Sequence, residues 1–132
     1  MKKVLILCTG NSCRSIMAEA LVNAFLEGIE AKSSGVKASG RVNPHAKRVL
    51  EEQGIWDASY HSKTLDEVLD EDFDLVVTVC DHAKETCPMF PRAIKKIHVG
   101  FADPDGEDYE AFVRLYEELK SLLLEKIKTE LE

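Results

Sequence analysis

Positive charge is in short supply in this sequence, and that excludes one large class of partners. The 132 residues include 17 lysines and arginines against 24 aspartates and glutamates, a formal net charge of −7. A protein without a basic stripe does not neutralise a phosphate backbone, so nucleic acid is not an expected partner. Any anion must be held by local geometry, which suits a small substrate better than a polyanion.

Long hydrophobic runs are also lacking. The apolar run at residues 4–7 is too short for the core of a signal peptide, and Leu7 is not the small residue that such a signal places before its cysteine. No later stretch approaches the roughly 20 apolar residues that cross a bilayer. We therefore expect a cytoplasmic protein with no membrane partner.

Cysteine, repeats and linkers are scarce or missing. The chain has 4 cysteines, which in a reducing compartment are more often catalytic, redox-active or metal-binding than part of a disulfide framework. No repeat, low-complexity tract or linker divides the sequence, and 132 residues suffice for one hydrophobic core. We expect a single domain over residues 1–132.

Strand and helix patterns alternate along the chain. Apolar or β-branched runs predict strands at 3–7, 31–34, 73–79 and 95–99. Helical periodicity predicts an amphipathic helix from about 13 to 28, with Phe25 on its apolar face, a second from Asn43-Pro44 to 54, and a last one over 112–127. Thr64 and Glu67 suggest a capping box for a short helix. This order predicts an α/β fold with one doubly wound, four-stranded parallel sheet and helices on both faces.

The loop after the first strand carries a thiol and a guanidinium at its two ends. It reads Cys8-Thr9-Gly10-Asn11-Ser12-Cys13-Arg14-Ser15. Gly10 and Asn11 tolerate positive φ, so the backbone N–H groups can point inward as an anion nest at the start of a helix. Arg14 offers a planar fork to two oxygens, and Cys8 lies where positive potential favours a nucleophilic thiolate. The sequence predicts an oxyanion site with a built-in nucleophile; the alternative is a strand-to-helix turn with an incidental cysteine.

Cys80 and Cys87 form a second cysteine pair. If the first and third strands are neighbours, Cys8 and Cys80 emerge side by side at the ligand-binding edge of the sheet. On a helix, Cys80 and Cys87 are separated by a rise of about 10.5 Å, more than the roughly 7 Å that a disulfide spans, so they join only if the segment unwinds. We interpret the pair as redox-active. Two buried core cysteines are the alternative, and the spacing matches no usual zinc site.

These motifs resemble a known family. Cys-x5-Arg-Ser after an N-terminal strand, with Met17-Ala18-Glu19 following, resembles the loop of low-molecular-weight protein tyrosine phosphatases and of the thioredoxin-coupled arsenate reductases that share their fold. The Cys80 and Cys87-Pro88 pair and the stretch Gly100-Phe101-Ala102-Asp103-Pro104 resemble the reductase branch. Phosphatase relatives carry tyrosines soon after this Asp-Pro, whereas here the first aromatic residue is Tyr109.

The resemblance implies a phosphatase-type anion-binding loop and a reaction. Cys8 would attack arsenate, Ser15 would hydrogen-bond the thiolate, and Asp103 would protonate the departing oxygen. Cys80 would then attack the Cys8 adduct, releasing arsenite and leaving a Cys8–Cys80 disulfide. Cys87 would resolve that disulfide, giving a Cys80–Cys87 disulfide for thioredoxin to reduce. The implied catalytic residues are Cys8, Arg14, Ser15, Cys80, Cys87 and Asp103, and the loop adds Thr9, Gly10, Asn11, Ser12 and Cys13. Asp103 as a simple turn former before Pro104 is the alternative.

Two other functions stay open. One is a tyrosine phosphatase in which Cys80 and Cys87 only protect or regulate Cys8, and the other is a non-enzymatic redox or partner-binding protein on the same scaffold. We expect no cofactor and no metal site. Some relatives bind potassium beside the loop; Asn11 and Ser33 match that pattern, but Ser62 and Thr64 stand where those members have Thr and Asp.

Overall fold

A parallel sheet of four strands forms the centre of the molecule. The computed structural model describes residues 1–68, 70–80, 94–104 and 106–132. Its strands are β1 (Lys2–Cys8), β2 (Ile29–Gly35), β3 (Leu75–Thr78) and β4 (Lys95–His98). They lie in the order β2-β1-β3-β4, and every neighbouring pair is parallel. The predicted fold class, an α/β fold on a four-stranded parallel sheet, is confirmed.

Helices follow the strands, as the alternating pattern predicts. They are α1 (Arg14–Phe25), α2 (Pro44–Glu52), a short 3-10 turn (Leu65–Glu67), and α3 (Tyr109–Glu118), which continues through a π-helical turn (Leu119–Leu123) into α4 (Leu124–Leu131). Within the described ranges, no helix combines the length and the apolar character needed to cross a bilayer.

Helix α1 differs from the prediction. Every residue from Ser15 to Val22 is buried, so its first two turns are not amphipathic. The reason is that α1 contacts β1, β2, α2 and the π-helical turn, which together cover it. Phe25, which the pattern placed on the apolar face, is 47% exposed and lies under the ammonium of Lys120.

The two predicted helix starts have opposite outcomes. Asn43 caps α2 as expected, because its side chain accepts a hydrogen bond from the His45 backbone N–H and Pro44 occupies the first helical position. The Thr64 capping box is wrong: Thr64 makes no side-chain cap, and Glu67 instead contacts the ring of His61 at 3.2 Å.

The sheet brings the ends of three strands together. Leu7 of β1 pairs with Thr78 of β3, so Cys8 at the end of β1 and Cys80 just beyond β3 lie at the same edge of the sheet. On the other side Cys8 pairs with Gly35, the last residue of β2. The carboxyl edge of a parallel sheet is where such folds bind ligands.

Candidate active site

The loop between β1 and α1 curls around the sulfur of Cys8. Asn11 has a φ of 49°, and its backbone N–H donates to Cys8 Sγ at 3.2 Å. An asparagine tolerates this left-handed conformation better than most residues. Gly10, which was also expected to supply a positive φ, does not adopt one.

Two donors therefore converge on the buried thiol. Besides the Asn11 amide, the hydroxyl of Ser15 lies 2.9 Å from Cys8 Sγ. Ser15 Oγ already accepts a hydrogen bond from Asn11 Nδ2 at 2.7 Å, so its own hydrogen is available for the sulfur. Hydrogen bonds to the charged form of a group favour that form, so the arrangement suits a thiolate at Cys8.

Cys13, unlike Cys8, lies beside a carboxylate, which disfavours a thiolate. It is 3% exposed, and its sulfur lies 3.8 Å from Asp103 Oδ1. Burial, aided by the negative charge of Asp103, raises the pKa of the Cys13 thiol to about 12. Cys13 is thus a protonated, structural member of the loop.

Arg14 and Asp103 lie together at the mouth of the loop. Arg14 Nη2 is 3.5 Å from Asp103 Oδ2, and Nη1 donates to the backbone oxygen of Phe101 at 3.1 Å. The Asp103 side chain is 48% exposed. The arginine is held by the segment that carries the aspartate, which places a cation and a carboxyl group at one opening.

A cleft of about 500 Å³ opens beside these residues. Its described lining consists of Thr9, Arg14, Cys80, Gly100, Phe101, Ala102 and Asp103. Cys80 is 4% exposed, and its sulfur lies 3.2 Å from Thr9 Oγ1. A second thiol therefore faces the same cleft as the arginine and the aspartate. Cys8, Cys13 and Cys80 are all reduced thiols.

Backbone contacts from the segment after β2 hold the loop from behind. The N–H groups of Val36, Lys37 and Ser39 donate to the backbone oxygens of Cys8, Thr9 and Gly10, and that of Asn43 donates to Ser12. These bonds turn the loop carbonyls outward. The inner side of the loop is thereby left to its N–H groups, as an anion nest requires.

Asn11 connects the loop to a buried polar network. Its Nδ2 donates to Ser33 Oγ at 2.9 Å, and its Oδ1 accepts from the Lys63 backbone N–H at 2.8 Å. Ser33 in turn donates to Glu19 Oε1 at 2.6 Å. The Lys63 ammonium lies 3.8 Å from the same Glu19 oxygen, and both charged side chains are 7% exposed.

Sequence reasoning missed the Glu19–Lys63 ion pair. A signal was present, since Glu19 is an acidic residue inside the apolar run 16–22 of a buried helix. A charge in such a place is almost always paired.

This network does not fit a potassium ion of the kind some relatives bind. Asn11 Oδ1 accepts from the Lys63 N–H, and Ser33 Oγ donates to Glu19 and accepts from Asn11, so each of these oxygens already uses one of its two lone pairs. The positive charge beside Glu19 is already supplied by Lys63. We therefore assign no step to an ion here.

Cys87 falls in the segment 81–93, outside the described residues. The predicted helix between Cys80 and Cys87, and its unwinding on oxidation, stay predictions.

Comparison with known proteins agrees with this geometry. The profile of the family "Low molecular weight phosphotyrosine protein phosphatase" matches residues 3–132. Arsenate reductase 2 of Staphylococcus epidermidis is 40% identical over 129 residues, 97% of each chain. Among solved structures, an arsenate reductase from Archaeoglobus fulgidus superposes with a TM-score of 0.81 at 35% identity, covering 95% of this chain and 98% of that one. The YwlE arginine phosphatase from Geobacillus stearothermophilus gives 0.79 at 36% identity, covering 98% and 95%. The chain therefore belongs to the low molecular weight phosphotyrosine protein phosphatase family.

Proposed function

We propose that this protein reduces arsenate to arsenite with electrons from its own thiols. The observation that carries the proposal is the position of Cys80. Its sulfur is 3.2 Å from Thr9 Oγ1 in the loop that begins with Cys8, and it lines the same cleft as Arg14 and Asp103. A phosphate-transfer reaction has no need of a second thiol there, whereas a two-electron reduction does. The arsenate reductases among its relatives support the same choice.

The first step is nucleophilic substitution at arsenic. The Cys8 thiolate forms an S–As bond while one arsenate oxygen leaves as water, and arsenic stays in the +5 state. Arg14 and the inward N–H groups of residues 9–13 hold the remaining oxygens. Asp103, 3.5 Å from Arg14 and half-exposed, is placed to protonate the departing oxygen.

The second step moves the electrons. The Cys80 thiolate attacks Cys8 Sγ, the S–As bond breaks, and its electron pair goes to arsenic. Arsenite leaves in the +3 state, and a Cys8–Cys80 disulfide remains. Cys8 and Cys80 suit this step because Cys8 ends β1, Cys80 lies just beyond the neighbouring strand β3, and Cys80 Sγ is 3.2 Å from Oγ1 of Thr9, the residue after Cys8.

The third step regenerates Cys8. The Cys87 thiolate attacks Cys80 Sγ, which releases the Cys8 thiol and leaves a Cys80–Cys87 disulfide. A dithiol protein of the thioredoxin class then reduces that disulfide. Such a cycle belongs in the reducing cytoplasm, where thiol reductants are continuously supplied.

We expect the protein to have weak phosphatase activity as well, and a phosphatase is the second candidate for its main function. Cys8, Arg14 and Asp103 alone are sufficient for attack on a phosphate ester. The similarity to an arginine phosphatase at 36% identity favours keeping this second candidate.

Serine substitutions separate the two activities. Cys8→Ser should abolish both arsenate reduction and aryl phosphate hydrolysis, because a hydroxyl lacks the nucleophilicity of a thiolate at neutral pH. Cys80→Ser and Cys87→Ser should each stop thioredoxin-coupled NADPH oxidation with arsenate. Hydrolysis of p-nitrophenyl phosphate by these two variants serves as the matched control and should stay within about threefold of the parent, since it needs no electrons.

Normal arsenate turnover by both Cys80→Ser and Cys87→Ser would contradict the thiol relay. In that case, or if the parent hydrolyses the ester but does not oxidise NADPH with arsenate, the phosphatase candidate replaces the reductase.

A further inference from the structure

The buried ion pair between Glu19 and Lys63 is linked by hydrogen bonds to the loop that carries Cys8. We propose that Lys63 is a positioning residue whose ammonium acts as a built-in counter-cation for Glu19, and that this pair holds Asn11 and Ser15 in the orientation that favours a Cys8 thiolate. The inference takes from the proposed function only the role of Cys8 as the nucleophile.

Lys63 is linked to both ends of the Asn11 amide. Its backbone N–H donates to Asn11 Oδ1 at 2.8 Å. Its ammonium lies 3.8 Å from Glu19 Oε1. That oxygen accepts a hydrogen bond from Ser33 Oγ, and Ser33 Oγ accepts one from Asn11 Nδ2. The amide group of Asn11 is therefore fixed at its oxygen and at its nitrogen through one lysine.

The order of donors along this network points toward the sulfur. Ser33 gives its hydrogen to Glu19 and so has a lone pair left for Asn11. Asn11 uses its second N–H on Ser15, and Ser15 then has its hydroxyl hydrogen left for Cys8. A carboxylate at Glu19 thus orients, through three side chains, the hydrogen bond that a Cys8 thiolate accepts.

The pair needs the lysine because Glu19 is buried. Burial raises the pKa of Glu19, and the charge of Lys63 opposes that rise. Burial likewise lowers the pKa of Lys63, and Glu19 opposes it. The ammonium is also anchored on the backbone oxygen of His61 at 3.0 Å. Among the described residues, the other titratable groups that interact with the pair are Lys32, Tyr60, His61 and Glu67. Those around Cys8 are Cys13, Arg14, Cys80 and Asp103.

Removing only the lysine charge leaves Glu19 as an unpaired buried group close to the anion loop. If Glu19 stays ionised, its negative charge disfavours a nearby thiolate. If it takes a proton, it becomes a donor to Ser33, and the order of donors that directs Ser15 to the sulfur is lost. This chain therefore needs no added monovalent cation, because the lysine supplies the charge.

The test measures Cys8 directly, without arsenate. Iodoacetamide alkylation of Cys8, followed by mass spectrometry of its peptide across a pH series, gives the alkylation rate and its pH midpoint. We expect Lys63→Met to lower the rate at neutral pH about tenfold by moving the midpoint up by about one pH unit. The double variant Glu19→Gln/Lys63→Met should return to within about threefold of the parent, because an amide oxygen at position 19 can still accept from Ser33 and no buried charge is left unpaired.

Lys3→Met is the matched control. It removes one lysine from the Lys3–Glu71 ion pair, 2.7 Å long, at the opposite end of β1, and should leave the alkylation of Cys8 unchanged. Replacing potassium chloride by sodium or choline chloride should likewise have no effect on the parent. Thermal unfolding of each variant reports stability separately.

Three results would overturn the proposal: Lys63→Met alkylating like the parent, the double variant as slow as Lys63→Met, or a parent rate that depends on potassium. If Lys63→Met does not fold, Lys63→Gln carries the test, because it removes the same charge and keeps a polar end that can reach the backbone oxygen of His61. Its neutral-pH rate should fall as expected for Lys63→Met, and an unchanged or higher rate would overturn the proposal. None of these outcomes bears on whether arsenate is reduced, which the NADPH assay decides.

Discussion

At the scale of single residues, three buried thiols within one region have different surroundings. Cys8 receives the Asn11 amide at 3.2 Å and the Ser15 hydroxyl at 2.9 Å. Cys13 faces a carboxylate instead, and Cys80 faces the hydroxyl of Thr9. Since all three are at most 4% exposed, burial does not distinguish them. Their hydrogen-bond partners do.

The raised pKa of Cys13 predicts a pH-dependent contribution to stability. Because its pKa is about 12 in the folded protein against an ordinary 9.0, folded Cys13 keeps its proton where the unfolded chain loses it. The contribution is therefore full below pH 9 and falls as the pH rises above it. Between about pH 8 and about pH 10, the stability advantage of the parent over Cys13→Ala should shrink by about 1.4 kcal/mol.

Urea unfolding of both proteins at the two pH values checks this, since the other titrating groups are common to both and cancel. A constant or growing difference would mean that Cys13 is ionised in the folded state. In that case it would be a second candidate nucleophile.

At the scale of elements, the end of β2 supports the anion loop as a rigid backing. Gly35 closes β2 beside Cys8, and a Cβ built on it would lie 2.6 Å from the backbone oxygen of Thr9 and 3.1 Å from Asn11 Cβ. Only a glycine allows strand and loop to approach this closely. The geometry of the loop thus depends on a residue outside it.

Gly35→Ala should displace the loop from β2. We expect a loss of about 2 kcal/mol in the free energy of unfolding, as overpacking of a close contact costs, and at least a tenfold loss of kcat/KM for arsenate. The neighbouring Ser34→Ala is the control, because Ser34 Oγ is buried and has no hydrogen-bond partner among the described residues. That change should be neutral or slightly stabilising. Equal activity in both variants would show that the loop does not depend on this contact.

Much at the element scale could be predicted because it is local. The β-branched run of β3, the Asn43-Pro44 helix start and the Cys-x5-Arg loop each carry their signal within a few residues. The predictions that failed concern α1 and Thr64, whose local patterns do not show how the rest of the chain packs around them. Helix α1 is buried all round because of what packs on it, and Thr64 begins only a three-residue 3-10 turn.

The same distinction applies to the site. The loop could be predicted from its local Cys-x5-Arg motif, and the nearness of Cys80 from the pairing of β1 with β3. The Glu19–Lys63 pair could not, because its partners are 44 positions apart and are brought to 3.8 Å from each other by the tertiary fold. No local pattern encodes such a meeting.

At the scale of the whole molecule, the anion site works against the net charge. The protein carries a net charge of −7, so its overall field repels a doubly charged oxyanion, whereas the loop amides and Arg14 attract one. The buried Nε of Arg14 has no hydrogen-bond partner among the residues that the structure describes. Binding should therefore be local, specific and strongly dependent on Arg14.

Oxyanion binding should stabilise the entire fold. A ligand that binds only the folded state adds about 2.7 kcal/mol at a concentration 100 times its Kd. For a chain of this size, that corresponds to a rise of several degrees in the melting temperature. Arsenate and phosphate should both produce it, as measured by differential scanning calorimetry of the reduced protein.

Salt screening gives a competing explanation, because any electrolyte relieves self-repulsion in a protein of charge −7. Potassium chloride at equal ionic strength measures that contribution, and it should be the smaller one. Arg14→Lys keeps the net charge but loses the planar fork, so its melting temperature should rise with arsenate no more than with chloride. If the parent responds equally to both salts, the loop does not bind oxyanions; if Arg14→Lys keeps the full arsenate response, the loop amides bind the anion without the arginine.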